Sequence, residues 1–383
     1  MSDQRRAVIE GVQRICAGFD AAYWRKADET GAFPEDFVRA LTEAGFLGIA
    51  MPVEVGGVGL GAVEAAAMMQ VISQSGAGFT GASAAHMNIF APMPIAVFGT
   101  EAQKQRFLPA LIKGEDRTCF AVTEPDAGLE TARIKTQAVR EGDGYVITGR
   151  KIWTSAAQRA TRALIVARTS PYNEARPLEG LTLFYAPLDR AHVEIREIHK
   201  MGRAAVDSNM LFIDGLKVGA DERIGGEGEG FKCLLHGLNP ERILIGAEAV
   251  GLGRAALAKA AAYANERVVF GRPIGQNQAI QHPLAKAWAM LEAADLMVFK
   301  AAALYDSGAP CGVEANAAKY LAAEAAYEAC ETAVMVHGGM GYAKEYDVER
   351  YLREAMIPRI APVSRELILS FIAEKALGLP KSY

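Results

Sequence analysis

Apolar residues recur at helical spacing through residues 1–116, as in the run Phe37, Leu41, Ala44 and Leu47. Pro34 stands where a first helical turn would begin. Gly56-Gly57-Val58-Gly59-Leu60-Gly61 reads as a turn cluster between helices. Near residue 117 the pattern shortens. Ile134–Arg140 and Tyr145–Thr148 flank Gly142-Asp143-Gly144, which predicts a hairpin. Ala163–Ala167, Leu181–Ala186, Val193–Ile198 and Asn209–Ile213 are further short strands, with a polar loop over Pro171–Gly180. An antiparallel barrel or sandwich is expected across 117–226. From 227 to 383 helical texture returns, rich in alanine. Between Ala315 and Val336 almost nothing breaks a helix, and Ala317, Leu321, Ala325, Ala329 and Ala333 make it apolar on more than one side. Such a helix is covered by neighbours, here other helices and a partner subunit.

This order of helices, strands and helices predicts a mainly α protein with a central β domain. The length of 383 residues agrees, being too great for one simple core. Composition narrows the function. Hydrophobic residues make up 51% and charged residues 22%, so the chain is an ordinary globular one. With a net charge of −4 and no long basic block, nucleic acid is not an expected partner. The start has no apolar signal core, and no stretch reaches the length of a membrane span. Cys16, Cys119, Cys233, Cys311 and Cys330 are scattered and odd in number, without metal spacing, and the six histidines form no HExxH pair. No metal and a reducing cytoplasm are expected.

Single motifs carry little. Gly56-Gly57-x-Gly59 does not follow a strand in a βαβ unit, so it is a turn before it is a phosphate loop. Gly225–Gly230 contains two carboxylates that would repel phosphate, and reads as a flexible link between domains. Gly338-Gly339-Met340-Gly341 ends a long helix, as a cap or as a place where backbone approaches a ligand.

Taken in order, the motifs say more. Phe120-Ala-Val122-Thr123-Glu124-Pro125-Asp-Ala-Gly128, Ile134-Lys135-Thr136 and Gly149-Arg-Lys151-Ile152-Trp153-Thr-Ser155 are followed by Lys200-Met201-Gly202 and Asn239-Pro-Glu241-Arg242. Then come Glu266-Arg267-x-x-Phe270-Gly271-x-Pro273-Ile274, Gln278 and His337-Gly338-Gly339-Met-Gly341. Pro52-x-Glu54-x-Gly56-Gly57 and Gly99-Thr-Glu101-x-Gln103-Lys104 precede them. The whole series resembles the acyl-CoA dehydrogenase family over nearly the full chain. That resemblance implies an N-terminal helical domain, an antiparallel β-barrel and a C-terminal four-helix bundle.

The resemblance also implies FAD between the β domain and the C-terminal helices. By motif, Phe120, Val122, Thr123 and Gly128 would contact the flavin, and Trp153 and Ser155 would pack on it and hydrogen-bond to it. An aromatic face suits the isoalloxazine and a hydroxyl can donate to its heteroatoms. Outside the motif, a lone strand tryptophan is ordinarily core. Arg267, Phe270, Gln278, Gly338 and Gly339 of a neighbouring subunit would hold the pyrophosphate and adenosine, since arginine and paired glycines both suit phosphate. Without the motif, Arg267 is a solvated charge. The resemblance assigns Ser364 to the cofactor as well. Two positions depart from the family. Gly128-Leu129-Glu130 replaces Gly-Ser-Asp, so Leu129 lacks the usual hydroxyl for cofactor or substrate, and Met335 replaces a common glutamine.

The family's reaction needs a carboxylate against the carbon α to a thioester while a hydride passes from the β carbon to flavin N5. Most members place it in a C-terminal Tyr-Glu-Gly-Thr run, where this chain has Pro362. A minority resembling isovaleryl-CoA and long-chain enzymes carries it in a Leu-Asp-x-Glu-Arg run, matched by Leu238-Asn239-Pro240-Glu241-Arg242. The two departures compensate each other and point to Glu241, with Glu354 and Glu366 as rivals. Locally, Asn239 reads as an N-cap and Pro240 as the first helical residue, which puts Glu241 in a first turn. There the helix dipole favours its charge and burial opposes it. Asn239 and Arg242 match positions near the CoA arm and substrate; otherwise they are a cap and an ion pair. Met87, Phe90 and Met93 are candidate lining residues.

The expectation is thus a cytoplasmic FAD-dependent acyl-CoA dehydrogenase yielding a trans-2-enoyl-CoA. An electron-transfer flavoprotein would reoxidise it, and the chain would form a homodimer or homotetramer. The alternatives are an acyl-CoA oxidase or diverged thioester flavoenzyme of the same fold, and a helical interaction protein without cofactor.

Overall fold

The computed structural model describes residues 1–382. Seven helices come first: α1 Asp3–Cys16, α2 Ala21–Thr30, α3 Glu35–Glu43, α4 Ala62–Ile72, α5 Gly78–Phe90, α6 Met93–Phe98 and α7 Glu101–Ile112. Local chemistry sets several ends. The Ser2 and Asp20 side chains accept the backbone N–H groups of Arg5 and Tyr23, capping α1 and α2. Thr100 and Gln103 close a capping box on α7. Pro34 is the N-cap of α3 rather than part of its first turn. That helix stops at Glu43 ahead of Gly45, whose φ of 80° a side chain would resist.

The strands follow: β1 Thr118–Ala121, β2 Gln137–Glu141, β3 Gly144–Ser155, β4 Arg162–Arg168, β5 Leu181–Pro187, β6 Val193–Glu197, β7 Ser208–Gly219 and β8 Arg223–Ile224. They form one sheet in the order β6-β7-β3-β2-β4-β5-β8, with β1 beside β4. The hairpin expected around Gly142-Asp143-Gly144 joins β2 to β3. The sheet is mixed, not antiparallel throughout: β1–β4 and β2–β4 run parallel. Parallel pairing requires both faces covered, and β4 shows it. Ala163, Ile165 and Ala167 enter one core of the sheet. Leu164 and Val166 enter another, shared with Phe107, Leu108 and Leu111 of α7. This is why residues 163–167 are an unbroken apolar run.

The chain then enters α8 Gly230–Glu266, a minimal hairpin of β9 Val268–Val269 and β10 Arg272–Pro273, and α9 Gln278–Asp306, α10 Gly312–His337, α11 Val348–Glu354, α12 Ile357–Ile360 and α13 Arg365–Leu377. Helices α8, α9, α10 and α13 make the bundle. A Cβ on Gly253 would meet Leu291 of α9 at 2.6 Å and the Ala326 backbone of α10 at 3.2 Å, so the alanines and glycines allow close helix packing. The glycine-rich link before α8 is tied down rather than loose. Gly228 N–H donates to Thr182, Glu227 accepts from Arg140 and Tyr145, and Gly230 leaves no room for a Cβ against the Thr182–Leu183 backbone. Among the described residues, no helix is long and apolar enough to cross a membrane, and no cluster of side chains has metal-ligand grouping.

Candidate active site

A one-residue bulge interrupts β3 where it pairs with β7: Lys151 lies opposite Leu211 and Thr154 opposite Asn209. Trp153, in the bulge, has φ 59°, which costs a bulky residue about 1–2 kcal/mol. The bulge turns the indole out of the sheet and leaves it 56% exposed, so it is not the core tryptophan that a strand position suggests. Beneath it, the buried Lys151 Nζ donates to the Val122 carbonyl at 3.0 Å and to Glu124 at 2.9 Å. Glu124 also accepts from the N–H groups of Lys135 and Thr136, and Ile152 N–H donates to the Thr123 carbonyl. Segment 122–124 and the bulge are thereby fastened together.

Phe120, Thr123 and Ser155 are half-buried along this edge, while Gly128 and Leu129 are exposed. Val122 turns its side chain into the core shared with α7, which leaves its backbone as the means of contact. A Cβ on Gly128 would touch nothing of this chain within 4 Å. The set therefore suits FAD: a strained, outward-facing aromatic and a hydroxyl on β3 lie beside an open backbone turn in the segment that follows β1.

Glu241 sits on α8, which begins eleven residues earlier at Gly230 and runs without a break through Pro240. The expected start at Asn239 is therefore wrong. Pro240 is a buried interior proline, Asn239 is not an N-cap, and the helix dipole gives Glu241 no first-turn stabilisation. The apolar residues on either side carry the helix across the missing N–H, as tertiary burial often overrides a local break. Asn239 Oδ1 instead accepts from Arg242 Nη1 at 3.1 Å.

As a residue Glu241 is half-buried, yet its Oε2 is fully buried and has no hydrogen-bond partner. Burial drives its proton affinity up, to a pKa of about 7, against the opposing pull of the His86 and Arg242 charges. The rivals differ. Glu354 accepts from Phe79 N–H at 2.6 Å, Thr80 N–H at 3.3 Å and Thr80 Oγ1 at 2.7 Å, capping α5. Glu366 is exposed and pairs with Arg365.

Residues that the sequence reading missed surround Glu241. His86 Nδ1 of α5 lies 2.5 Å from Glu248 Oε1 of α8, both buried. Glu248 has a sequence signal, as a lone acid in the apolar run Ile243–Leu257. His86 also packs against Phe90, whose ring meets Phe120 at 5.4 Å, so the α8 centre connects to the β1 edge. Met87 of α5 and Met93 of α6 are half-buried. Arg203, at φ 57°, donates to Ser83, Ser155 and Ser208. The buried Lys319 of α10 donates to the Val363 carbonyl at 2.6 Å, next to Pro362.

The remaining positions gather elsewhere. Arg267, Phe270 and Gln278 are exposed just beyond α8, and Phe270 is fully so. Met335, Gly338 and Gly339 are exposed at the end of α10, where Gly338 caps the helix at φ 58°. Tyr263 stacked on His337 at 4.3 Å joins the two groups. Along α8 they lie roughly 40 Å from Glu241. One chain does not bring both sets onto one flavin ring. Ser364 caps α13, its Oγ accepting the Leu367 N–H.

Sequence profiles of the acyl-CoA dehydrogenase N-terminal, middle and C-terminal domains match residues 2–115, 119–216 and 228–377. The chain belongs to the acyl-CoA dehydrogenase family, FAD-dependent oxidoreductases. It is 37% identical to acyl-CoA dehydrogenase FadE12 of Mycobacterium tuberculosis over 390 residues, covering 100% of this chain and 98% of that one. It is 33% identical to a 3-(aryl)acrylate reductase of Clostridium sporogenes, covering 92% and 93%. Its fold superposes on butyryl-CoA dehydrogenase from Megasphaera elsdenii with a TM-score of 0.93, at 28% identity and 99% coverage of each chain.

Proposed function

We propose that the protein oxidises an acyl-CoA thioester between its α and β carbons to a trans-2-enoyl-CoA, with Glu241 as the base. The observation that carries this reading is the buried, unbonded Oε2 of Glu241 with a pKa of about 7. A base poised near the working pH both accepts and holds a proton. FAD, when bound, supplies the hydride acceptor. Trp153, Phe120, Thr123, Ser155, Gly128 and Leu129 would hold the flavin, and Val122 would do so through its backbone. Arg267, Phe270, Gln278, Met335, Gly338 and Gly339 of a second copy would hold the rest, with Ser364 beside it. This arrangement requires at least a homodimer, and a homotetramer if dimers pair. Asn239 and Arg242 would orient the thioester. An electron-transfer flavoprotein would take up the electrons, in the cytoplasm.

The test is anaerobic flavin bleaching over a panel of saturated straight-chain and branched acyl-CoA thioesters. Bleaching by saturated thioesters is expected. Failure of every saturated member, with reoxidation of dithionite-reduced enzyme by an enoyl-CoA, would establish the reductive direction instead. Hydrogen peroxide formed in air at the rate of turnover would make the enzyme an oxidase.

A further inference from the structure

We infer that His86, held by Glu248, is a positioning residue for the base Glu241, its imidazolium keeping the Glu241 carboxylate ionised in an otherwise apolar cleft. This rests on Glu241 being the base. Glu241 and Glu248 are seven residues apart, two turns of α8, and so share one face of that helix. Two buried acids on one face repel each other unless a cation lies within reach of both. His86 is a cation that reaches both. Its ring is at 2.5 Å from Glu248 and feels the charge of Glu241 as well. Burial by itself would keep the imidazole neutral, but the two carboxylates outweigh it and raise its proton affinity.

Other charges also reach the cluster: Arg242 and Lys319 act on Glu241, and Arg203 acts on His86 and Glu248, but their hydrogen bonds go to other groups. Arg203, before β7, donates to three neutral serine hydroxyls, which leave its charge in place. Arg242 of α8 donates to Asn239, Lys319 of α10 donates to Val363, and Glu354 of α11 caps α5. His86 Nε2, Glu241 Oε2 and Glu248 Oε2 are all buried without partners. A buried ion pair rarely stabilises a fold more than an apolar pair of equal size. A pair kept only for packing would therefore gain little over hydrophobic residues, whereas one that tunes a neighbouring acid has a use for its charge.

The test compares wild type with His86→Gln and the neutral double variant His86→Gln/Glu248→Gln. The first readout is the pH midpoint of anaerobic bleaching by whichever thioester of the panel bleaches wild type fastest. The second, independent of turnover, is an infrared titration of the protonated carboxyl band that disappears in Glu241→Gln. His86→Gln should move both midpoints up by about one pH unit, a tenfold change in proton affinity. The double variant should move them the same way by less, because the opposing Glu248 charge is gone too. If a variant loses flavin, the infrared titration of the apoprotein decides. Unmoved midpoints in both folded variants, with Glu241→Gln inert, would overturn the role of the pair alone. Normal bleaching by Glu241→Gln would overturn the base assignment and this inference with it.

Discussion

The two ends of α5 meet carboxyl groups from other helices, and Glu354 at one end and Glu241 at the other are used in opposite ways. At its N-terminus Glu354 reaches in from α11. Near its C-terminal end His86 faces Glu248 and Glu241 of α8. Burial raises the proton affinity of both Glu354 and Glu241. What separates them is bonding. Glu354 accepts three hydrogen bonds from Phe79 and Thr80, whereas Glu241 Oε2 has none. A perturbed carboxyl therefore does not by itself mark a base; an unbonded oxygen within reach of a substrate does.

Glu241→Gln tests the contrast most strongly. Substrate-driven bleaching should fall by about a thousandfold, within the span that a general base contributes, while flavin absorbance is kept. Stopped-flow absorbance under anaerobic conditions measures it. Bleaching within tenfold of wild type would erase the distinction. Glu354→Ala should do the reverse. Its loss strips the α5 cap and removes one of the buried Arg350's two acidic partners, leaving Asp347 and the Gly76 carbonyl, at a cost of about 3 kcal/mol in urea unfolding at fixed protein concentration. Bleaching per folded, flavin-loaded molecule should stay within a few-fold.

These two centres were unequally legible in the sequence. Helix, strand and helix follow from period alone, and the hairpin at Gly142-Asp143-Gly144 from its turn residues. The motif around Trp153 singled out that residue, but only the bulge explains why its ring faces outward. Pro240 misled, because a proline preceded by asparagine is the ordinary mark of a helix start, and burial on both sides carried α8 through it. The parallel pairings of β4 link segments that no turn signal connects. His86 and Glu248 are 162 residues apart, and nothing local announces that they meet. Glu354 stayed a rival for the same reason: its partners are 274 and 275 residues away.

The contrast extends to pH. The folded-state pKa of Glu241, about 7, lies above its ordinary value of 4.5. A group with a raised folded pKa contributes stability that is complete below the unfolded pKa and is lost as pH rises through the folded one. Wild type should therefore lose stability relative to Glu241→Gln between about pH 4.5 and 7, by at most about 3 kcal/mol, and the gap should level off above that. Urea midpoints of both proteins across this range give the difference directly, and the shared contribution of Glu354 cancels. A gap independent of pH would mean that Glu241 is solvated in the folded enzyme.

The smallest effect isolates a single bond at the other centre. Thr80 is fully buried and its Oγ1 donates to Glu354 Oε1 at 2.7 Å. Thr80→Val conserves the shape and removes that donor. Glu354 keeps the two backbone N–H groups on Oε2, so the cost should be about 1 kcal/mol, well below that of Glu354→Ala. Because Thr80 and His86 lie on the same helix six residues apart, the bleaching midpoint is the sharper measurement. It should stay where it is in wild type. A Thr80→Val midpoint that moves as far as that of His86→Gln would mean that α5 couples its two ends, and that the structural and the chemical carboxylate form one electrostatic unit.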